Sequence, residues 1–178
     1  MKKILGDERR SLLLDILKSS TEPITGSDLA AKANVSRQVI VGDITLLKAR
    51  NEPIIATSQG YLYMHTSSPA VLAERTIACC HLPEDTEAEL NILVDQGVMV
   101  KDVRIEHPVY GDLTASIMVS NRREVKQFME KIKTTNAGYL SELTEGIHIH
   151  TIAAQSERAL DEAEEAMKKA GYLIDLAD

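Results

Sequence analysis

Apolar positions along this chain follow two periods in turn. Over residues 7–19, Leu12, Leu13, Ile16 and Leu17 stand at the i, i+1, i+4, i+5 spacing of one buried helical stripe. Pro23 ends the connection that follows. Thr25, with Asp28 three residues on, is the start signal of a short second helix carrying Leu29, Ala30 and Ala31 and broken at Asn34. Ser36 caps a third helix, with Val35 and Ile40 at hydrophobic-staple spacing and Ile40, Ile44 and Leu47 as its inner stripe. Gln38, Gly42 and Thr45 face away from that stripe, with Arg37 to one side. The period then shortens to two. Residues 54–57 and 61–63 read as strands around 58–60, where Gly60 supplies the permissive backbone of a turn. Two short helices joined by a tight turn and backed by a hairpin predict a winged helix-turn-helix.

A polar stretch at 65–69 reads as a linker, and beyond it strands and helices alternate. The pattern predicts a strand over 72–80, a helix over 84–96 stopped by Gly97, and strands over 98–106 and 113–119 joined by the turn at 108–112. A helix over 124–133, a strand over 147–152, a helix over 157–170 closed by Gly171 and a short strand at 172–174 follow. The β-α-β-β-α-β order is ferredoxin-like, with a helix and strand appended. The fold class expected is therefore α+β, with a winged helix-turn-helix over 1–66 and a second domain over 70–178.

Charge sharpens that division. The chain carries −7 overall, but residues 1–65 hold nine Lys/Arg against seven Asp/Glu, and residues 66–178 hold eleven against twenty. A mildly basic head on a strongly acidic body predicts different partners for each, and only the head suits nucleic acid. One Phe, five Tyr and no Trp leave the core to aliphatic side chains. No apolar run reaches membrane-spanning length. Arg9, Arg10 and Asp15 bracket the leucines at 12–14, so nothing behind Met1-Lys2-Lys3 resembles an export segment. A cytoplasmic protein without a membrane partner is expected. Cys79 and Cys80 are neighbours and imply no disulfide framework.

Candidate chemistry gathers in the acidic body. His148 and His150 flank one isoleucine on a β-branched strand, so both imidazoles point the same way. Two convergent neutral imidazoles are half of a divalent metal site. His81 ends a strand that can pair with theirs, and Glu89 borders the buried stripe of Leu90, Leu93 and Val94. Glu84, Asp85 and Glu87 read instead as solvated charge at a helix N-terminus. Three imidazoles and a carboxylate suit a first-row ion such as Zn, Ni, Fe or Mn. Cys79 shares a face with His81 and offers a soft alternative ligand, or else packs as a small hydrophobe like Cys80. Glu106-His107-Pro108-Val109-Tyr110-Gly111 is a second dense motif at a strand-to-strand turn. The chain holds no His-Glu-x-x-His, Gly-rich phosphate loop or nucleophile elbow, so an enzyme is not expected.

Two resemblances follow from these residues. Val35-Ser36-Arg37-Gln38-Val39-Ile40 with Asp43-Ile44 and Leu47 resembles the helix-turn-helix of biotin-operon-repressor-like winged domains, whose Ser-Arg helix start enters the major groove. That resemblance implies double-stranded operator DNA on Ser36, Arg37, Gln38, Thr45 and Lys48, with Arg37 and Gln38 suited to guanine and adenine edges and Lys48 and Arg50 to phosphates. Gly42 departs from the pattern, since it offers no side chain to the outward face. His81-x-Pro83-Glu84, the 106–111 turn and Gly146-Ile147-His148-Ile149-His150-Thr151-Ile152 resemble the three-histidine ligand-sensing domain. Together the chain resembles the nicotinic-acid-responsive transcriptional repressors, which shut down genes for NAD synthesis or niacin uptake. What this implies is a homodimeric repressor with one divalent metal per chain on His81, Glu89, His148 and His150. It further implies nicotinic acid as co-repressor, with an effector site near His107 and Tyr110. The alternative is a metal-responsive regulator in which the ion itself is the signal.

Overall fold

A computed structural model describes residues 5–65 and 72–174 of the chain. The expected linker lies outside these residues except for His65, and so does the Met1-Lys2-Lys3 start. The chain divides into two compact units, Met1–Ser68 and Pro69–Asp178.

In the first unit α1 (Gly6–Lys18), α2 (Gly26–Ala33) and α3 (Arg37–Ala49) precede the hairpin of β1 (Ile54–Thr57) and β2 (Gly60–Tyr63). Both predicted caps are made. Thr25 accepts from the Asp28 N–H at the head of α2, and Ser36 from the Val39 N–H at the head of α3. Leu13, Leu17, Leu29, Ile40, Ile44, Leu47 and Ile54 form the core, with Leu12 and Ile16 only half-buried. Asp43, on the inner side of α3, is buried and takes both Arg9 and Arg10 of α1 onto its carboxylate. Ile24 exchanges two backbone hydrogen bonds with Tyr61, at 2.8 and 2.9 Å, an isolated bridge that ties the α1–α2 connection to the wing. Gly60 makes that approach possible: a Cβ there would stand 2.4 Å from the Ile24 carbonyl oxygen.

The second unit runs β3 (Ala73–Cys80), α4 (Thr86–Asp95), β4 (Met99–His107), β5 (Gly111–Ala115), α5 (Arg122–Thr135), β6 (Ile147–Ala154) and α6 (Glu157–Ala170). Short 3-10 turns at Pro83–Asp85 and Leu140–Thr144 precede α4 and β6. Ile77, Cys79 and Ile152 of the sheet share one core with Leu90 and Leu93 of α4, Val125 of α5 and Leu160 of α6. On the other face Thr76, Ala78 and Cys80 are exposed.

The βαββαβ order holds, but the ferredoxin-like strand order does not. The sheet runs β3-β6-β4-β5, every neighbour antiparallel. A ferredoxin-like sheet is antiparallel as well, but places its first strand inside, beside the third, and its last strand at an edge. Here the first strand is at the edge and the last is inside, so β6 splits the β3-α4-β4 unit. This places the strand of His148 and His150 in the middle of the sheet. Two further boundaries shift. The strand predicted over 113–119 stops at Ala115, because Met118 takes a left-handed conformation, and only Val119 rejoins the sheet opposite Val100. The appended strand is a single bridge from Leu173 to Cys79 within the described residues.

Gly42 sits mid-helix in α3, and a Cβ there would meet nothing within 4 Å. Glycine costs a helix interior roughly 1 kcal/mol relative to alanine. Gly42→Ala is expected to raise the stability of the first unit by about that amount, read as a higher urea midpoint. A lower midpoint would contradict the open space around the position.

Candidate metal centre

The three histidines are oriented by main-chain carbonyls. His81, just past β3, lies with Nδ1 2.8 Å from the Leu82 oxygen. His148 Nδ1 lies 2.9 Å from the Gly146 oxygen, and His150 Nδ1 2.7 Å from that of Asp102. A carbonyl can only accept, so these partners assign the proton to Nδ1 in each ring. In the neutral imidazole that leaves Nε2 as a bare lone pair. All three Nε2 atoms meet one carboxylate: His81 is 2.8 Å from Glu89 Oε2, while His148 and His150 are 3.0 and 3.2 Å from Oε1. Glu89, in the first turn of α4, is 1% exposed, and the three histidines are buried with it.

Backbone irregularities make this convergence. The β4–β6 register skips between Val100 and Asp102. The bulge carries the Asp102 carbonyl to His150 Nδ1, and Asp102 Oδ1 accepts the Thr151 N–H at 3.0 Å. Beyond the bulge Val103 pairs with both His150 and Ala115, and His150 also pairs with Ile77, so these four form one row across the sheet. At the other end, Glu145 and Gly146 both take positive φ. A Cβ on Gly146 would lie 2.4 Å from the His81 carbonyl oxygen, so only glycine lets the two chains close. Its own carbonyl receives His148 Nδ1 and, at 3.4 Å, the His81 N–H.

Electrostatically the cluster calls for a cation. Burial alone would raise the Glu89 pKa, but the histidines, His150 foremost, hold it well below the usual carboxylate range. Burial alone would lower His81 and His150, yet the Glu89 carboxylate beside them outweighs it and raises both. Despite their short distances to Glu89, His81 Nε2 and His150 Nε2 make no aligned hydrogen bond. Atoms that converge on a common region without pairing are what a metal ion would satisfy, and the imidazole–carboxylate donor set fits a first-row dication. Cys79, the cross-strand partner of His148, also brings its sulfur within 4.8 Å of donor atoms on Glu89 and His148. Burial, then the nearby Glu89 charge, push that thiol up, so it stays protonated until an ion displaces the proton.

A cavity of about 170 Å³ opens beside the centre. His81, Glu89, His148 and His150, with the hydroxyls of Thr86, Tyr139 and Ser141, form its polar part, and Leu90, Val103, Ala115, Ile117, Phe128 and Ile132 its apolar wall.

The structure thus brings together the four residues expected to ligate. It does not bring the 106–111 turn to them. His107 Nδ1 accepts the Val109 and Tyr110 N–H groups at 3.1 and 3.2 Å, Tyr110 is 75% exposed, and neither residue lines the cavity. In the first unit Arg37, Gln38, Thr45 and Lys48 are exposed along α3, while Ser36 spends its hydroxyl on the cap and Thr45 donates to the Val41 carbonyl at 2.7 Å. Sequence reasoning missed Asp102, Thr86 and the role of Gly146. Gly146 had a readable signal, a glycine just before a β-branched strand. Asp102 had none, because the bulge that uses it arises from pairing with a strand about fifty residues away.

A family description given as 3H domain matches residues 74–176, and one given as HTH domain matches residues 9–62. The chain is 60% identical over 173 residues to "Transcription repressor NadR" of Bacillus subtilis (strain 168), covering 97% of this chain and 96% of that protein. It is 37% identical over 173 residues to "Probable transcription repressor NiaR" of Thermotoga maritima, covering 97% of each.

The raised histidines and lowered Glu89 make the metal-free protein pH-sensitive in a stated direction. Histidines whose folded pKa lies above 6.5 contribute stability that is complete below 6.5 and lost as pH rises through the folded values. Glu89 contributes above 4.5 and loses its share only well below that. Chelator-treated protein is therefore expected to melt highest between pH 4.5 and 6.5 and progressively lower as the pH rises above 6.5, with the decline blunted in Glu89→Gln. A melting temperature that climbs over that upper range would refute the charge assignment.

Proposed function

The chain belongs to the family of transcription repressors that join an HTH domain to a 3H domain, and from that premise we propose a metal-containing repressor that answers to nicotinate. It is a DNA-binding transcription repressor rather than an enzyme, as its relatives are named. No helix among the described residues is long and apolar enough to cross a membrane. We assign operator binding to residues 1–66 and sensing to 70–178, in a cytoplasmic homodimer whose two helix-turn-helix units read paired half-sites. The regulated genes, on this reading, serve NAD synthesis or niacin uptake.

One observation carries the sensing half: three histidine Nε2 atoms and a buried carboxylate stand at one end of a small apolar cavity. His81, Glu89, His148 and His150 would hold the ion, which supplies a positive charge able to attract an effector's carboxylate. At about 170 Å³ the cavity exceeds the ~150 Å³ hole known to accept benzene, and falls well short of a nucleotide. A single aromatic ring with one carboxylate is the size and polarity it suits. The wall of Phe128, Ile117 and Ile132 takes the ring and excludes water. His107 and Tyr110 stay outside this pocket, so the effector role first expected of them passes to the cavity residues.

The DNA half rests on α3, which leaves Arg37, Gln38, Thr45 and Lys48 exposed above a buried stripe. Gly42 adds no side chain there, so base reading falls to the helix start. Arg37 and Gln38 have the bidentate geometry for guanine and adenine, and Lys48 lies a turn or more away, suited to phosphate.

Elemental analysis tests the metal. About one ion per chain is expected in wild type and in Glu87→Ala, with strong loss in His148→Ala and Glu89→Ala, as a four-ligand site requires. Full content in His148→Ala would sink the site. Operator binding is expected to tighten with nicotinate and to lose that response after chelation. Binding that follows the metal with no organic ligand would favour the ion-as-signal alternative. Gln38→Ala is expected to cost ~1–3 kcal/mol at the cognate operator and relax one base position. Equal weakening on cognate and scrambled DNA would remove Gln38 from base reading.

A further inference from the structure

Among the described residues, four buried side-chain nitrogen or oxygen atoms have no hydrogen-bond partner: Arg10 Nε, His81 Nε2, His150 Nε2 and Thr86 Oγ1. The first belongs to the arginine–aspartate cluster between α1 and α3, and the histidine atoms belong to the metal centre. Thr86 remains, and it lines the cavity beside that centre. It opens α4 and is only 8% exposed, so bulk water does not reach its hydroxyl.

Helical threonines ordinarily return the hydroxyl to a carbonyl three or four residues back, as Thr45 and Thr135 do here. Thr86 makes no such bond. The Leu82 oxygen already accepts from the Asp85 N–H at 3.0 Å and faces His81 Nδ1 at 2.8 Å. The Pro83 oxygen takes the N–H of Thr86 itself. A buried hydroxyl left alone is costly, because it has given up its water without replacing it. Of the other polar residues around the cavity, Tyr139 turns its hydroxyl to Met129 Sδ at 3.9 Å, and Ser141 has no orphaned atom. Among the described residues that line the cavity, the hydroxyl without a partner therefore belongs to Thr86.

We propose that Thr86 is the specificity residue of the sensing cavity, donating its hydroxyl to an acceptor atom on the ligand's ring. The ligand class is then a one-ring heteroaromatic carboxylate, its acid toward the histidine–glutamate cluster and its ring nitrogen on Thr86. This rests on the effector reading above and narrows it. A site that offers a hydrogen bond rejects an isosteric ligand lacking the partner atom, because binding that ligand seals the hydroxyl in unpaired.

The test is calorimetry on the full-length, metal-containing protein, titrated with nicotinate and with benzoate, which differ by the ring nitrogen. Wild type is expected to prefer nicotinate. Thr86→Val keeps the shape and removes the hydroxyl. It should bind nicotinate about tenfold more weakly, lose the preference over benzoate, and melt slightly higher without ligand because no orphan remains. Thr86→Ser should keep the wild-type order. A hydroxyl with a structural role would instead lower the ligand-free melting temperature, and an unchanged preference in Thr86→Val would overturn the proposal. Should Thr86→Val not fold, the same ratio in Thr86→Ala decides. Failure of wild type to bind nicotinate at all would overturn the effector reading itself, a result distinct from binding without discrimination.

Discussion

Everything distinctive in the second unit depends on one buried carboxylate. Glu89 is buried and enclosed by three imidazoles. An isolated carboxylate in such surroundings would be protonated rather than tolerated. The fold avoids this by aiming three ring nitrogens at it, which places a demand for positive charge at one point. Protons can meet that demand, and so can a metal ion. Because both compete for the same lone pairs, occupancy by either is tied to pH.

The aim of those rings is set by the main chain rather than by neighbouring side chains. Each Nδ1 rests on a carbonyl, and two of the three carbonyls lie at irregular backbone: the left-handed Gly146 and the bulge before Asp102. Hydrogen-bonded partners behind a ligating imidazole fix its tautomer and orientation. Here they also link the centre to strand pairing, since the bulge exists only while β4 and β6 are zipped. The same edge of the centre borders the cavity, so a ligand there contacts the groups that hold the ion.

The first unit solves a simpler problem. Asp43 draws two arginines of α1 onto the inner side of α3, which fixes the helix whose other side stays free. Such a partly buried network resists loss of one partner more than it adds net stability. With Ser36 committed to the cap and Gly42 bare, the exposed chemistry of α3 is concentrated at Arg37 and Gln38 near its start and Lys48 near its end.

Local rules were enough for much of this. The caps at Thr25 and Ser36, the stripe of Ile40, Ile44 and Leu47, the wing, and the shared face of His148 and His150 all follow from interactions within a few residues. Periodicity of 3.6 or 2 makes these legible in the chain itself. The inward position of Glu89 is legible because it borders a helical stripe, which is also a local property. What the chain alone left open was every feature set by contact between distant segments. Those features are the β3-β6-β4-β5 strand order, the bulge that turns the Asp102 carbonyl toward His150, the burial of Asp43 under two arginines, and the cavity that leaves Thr86 unpartnered while excluding His107 and Tyr110. A motif records which residues are present, but the pairing of strands decides which side chains meet. An extra residue in β4 or a different neighbour for β6 redirects them without any change in the motif.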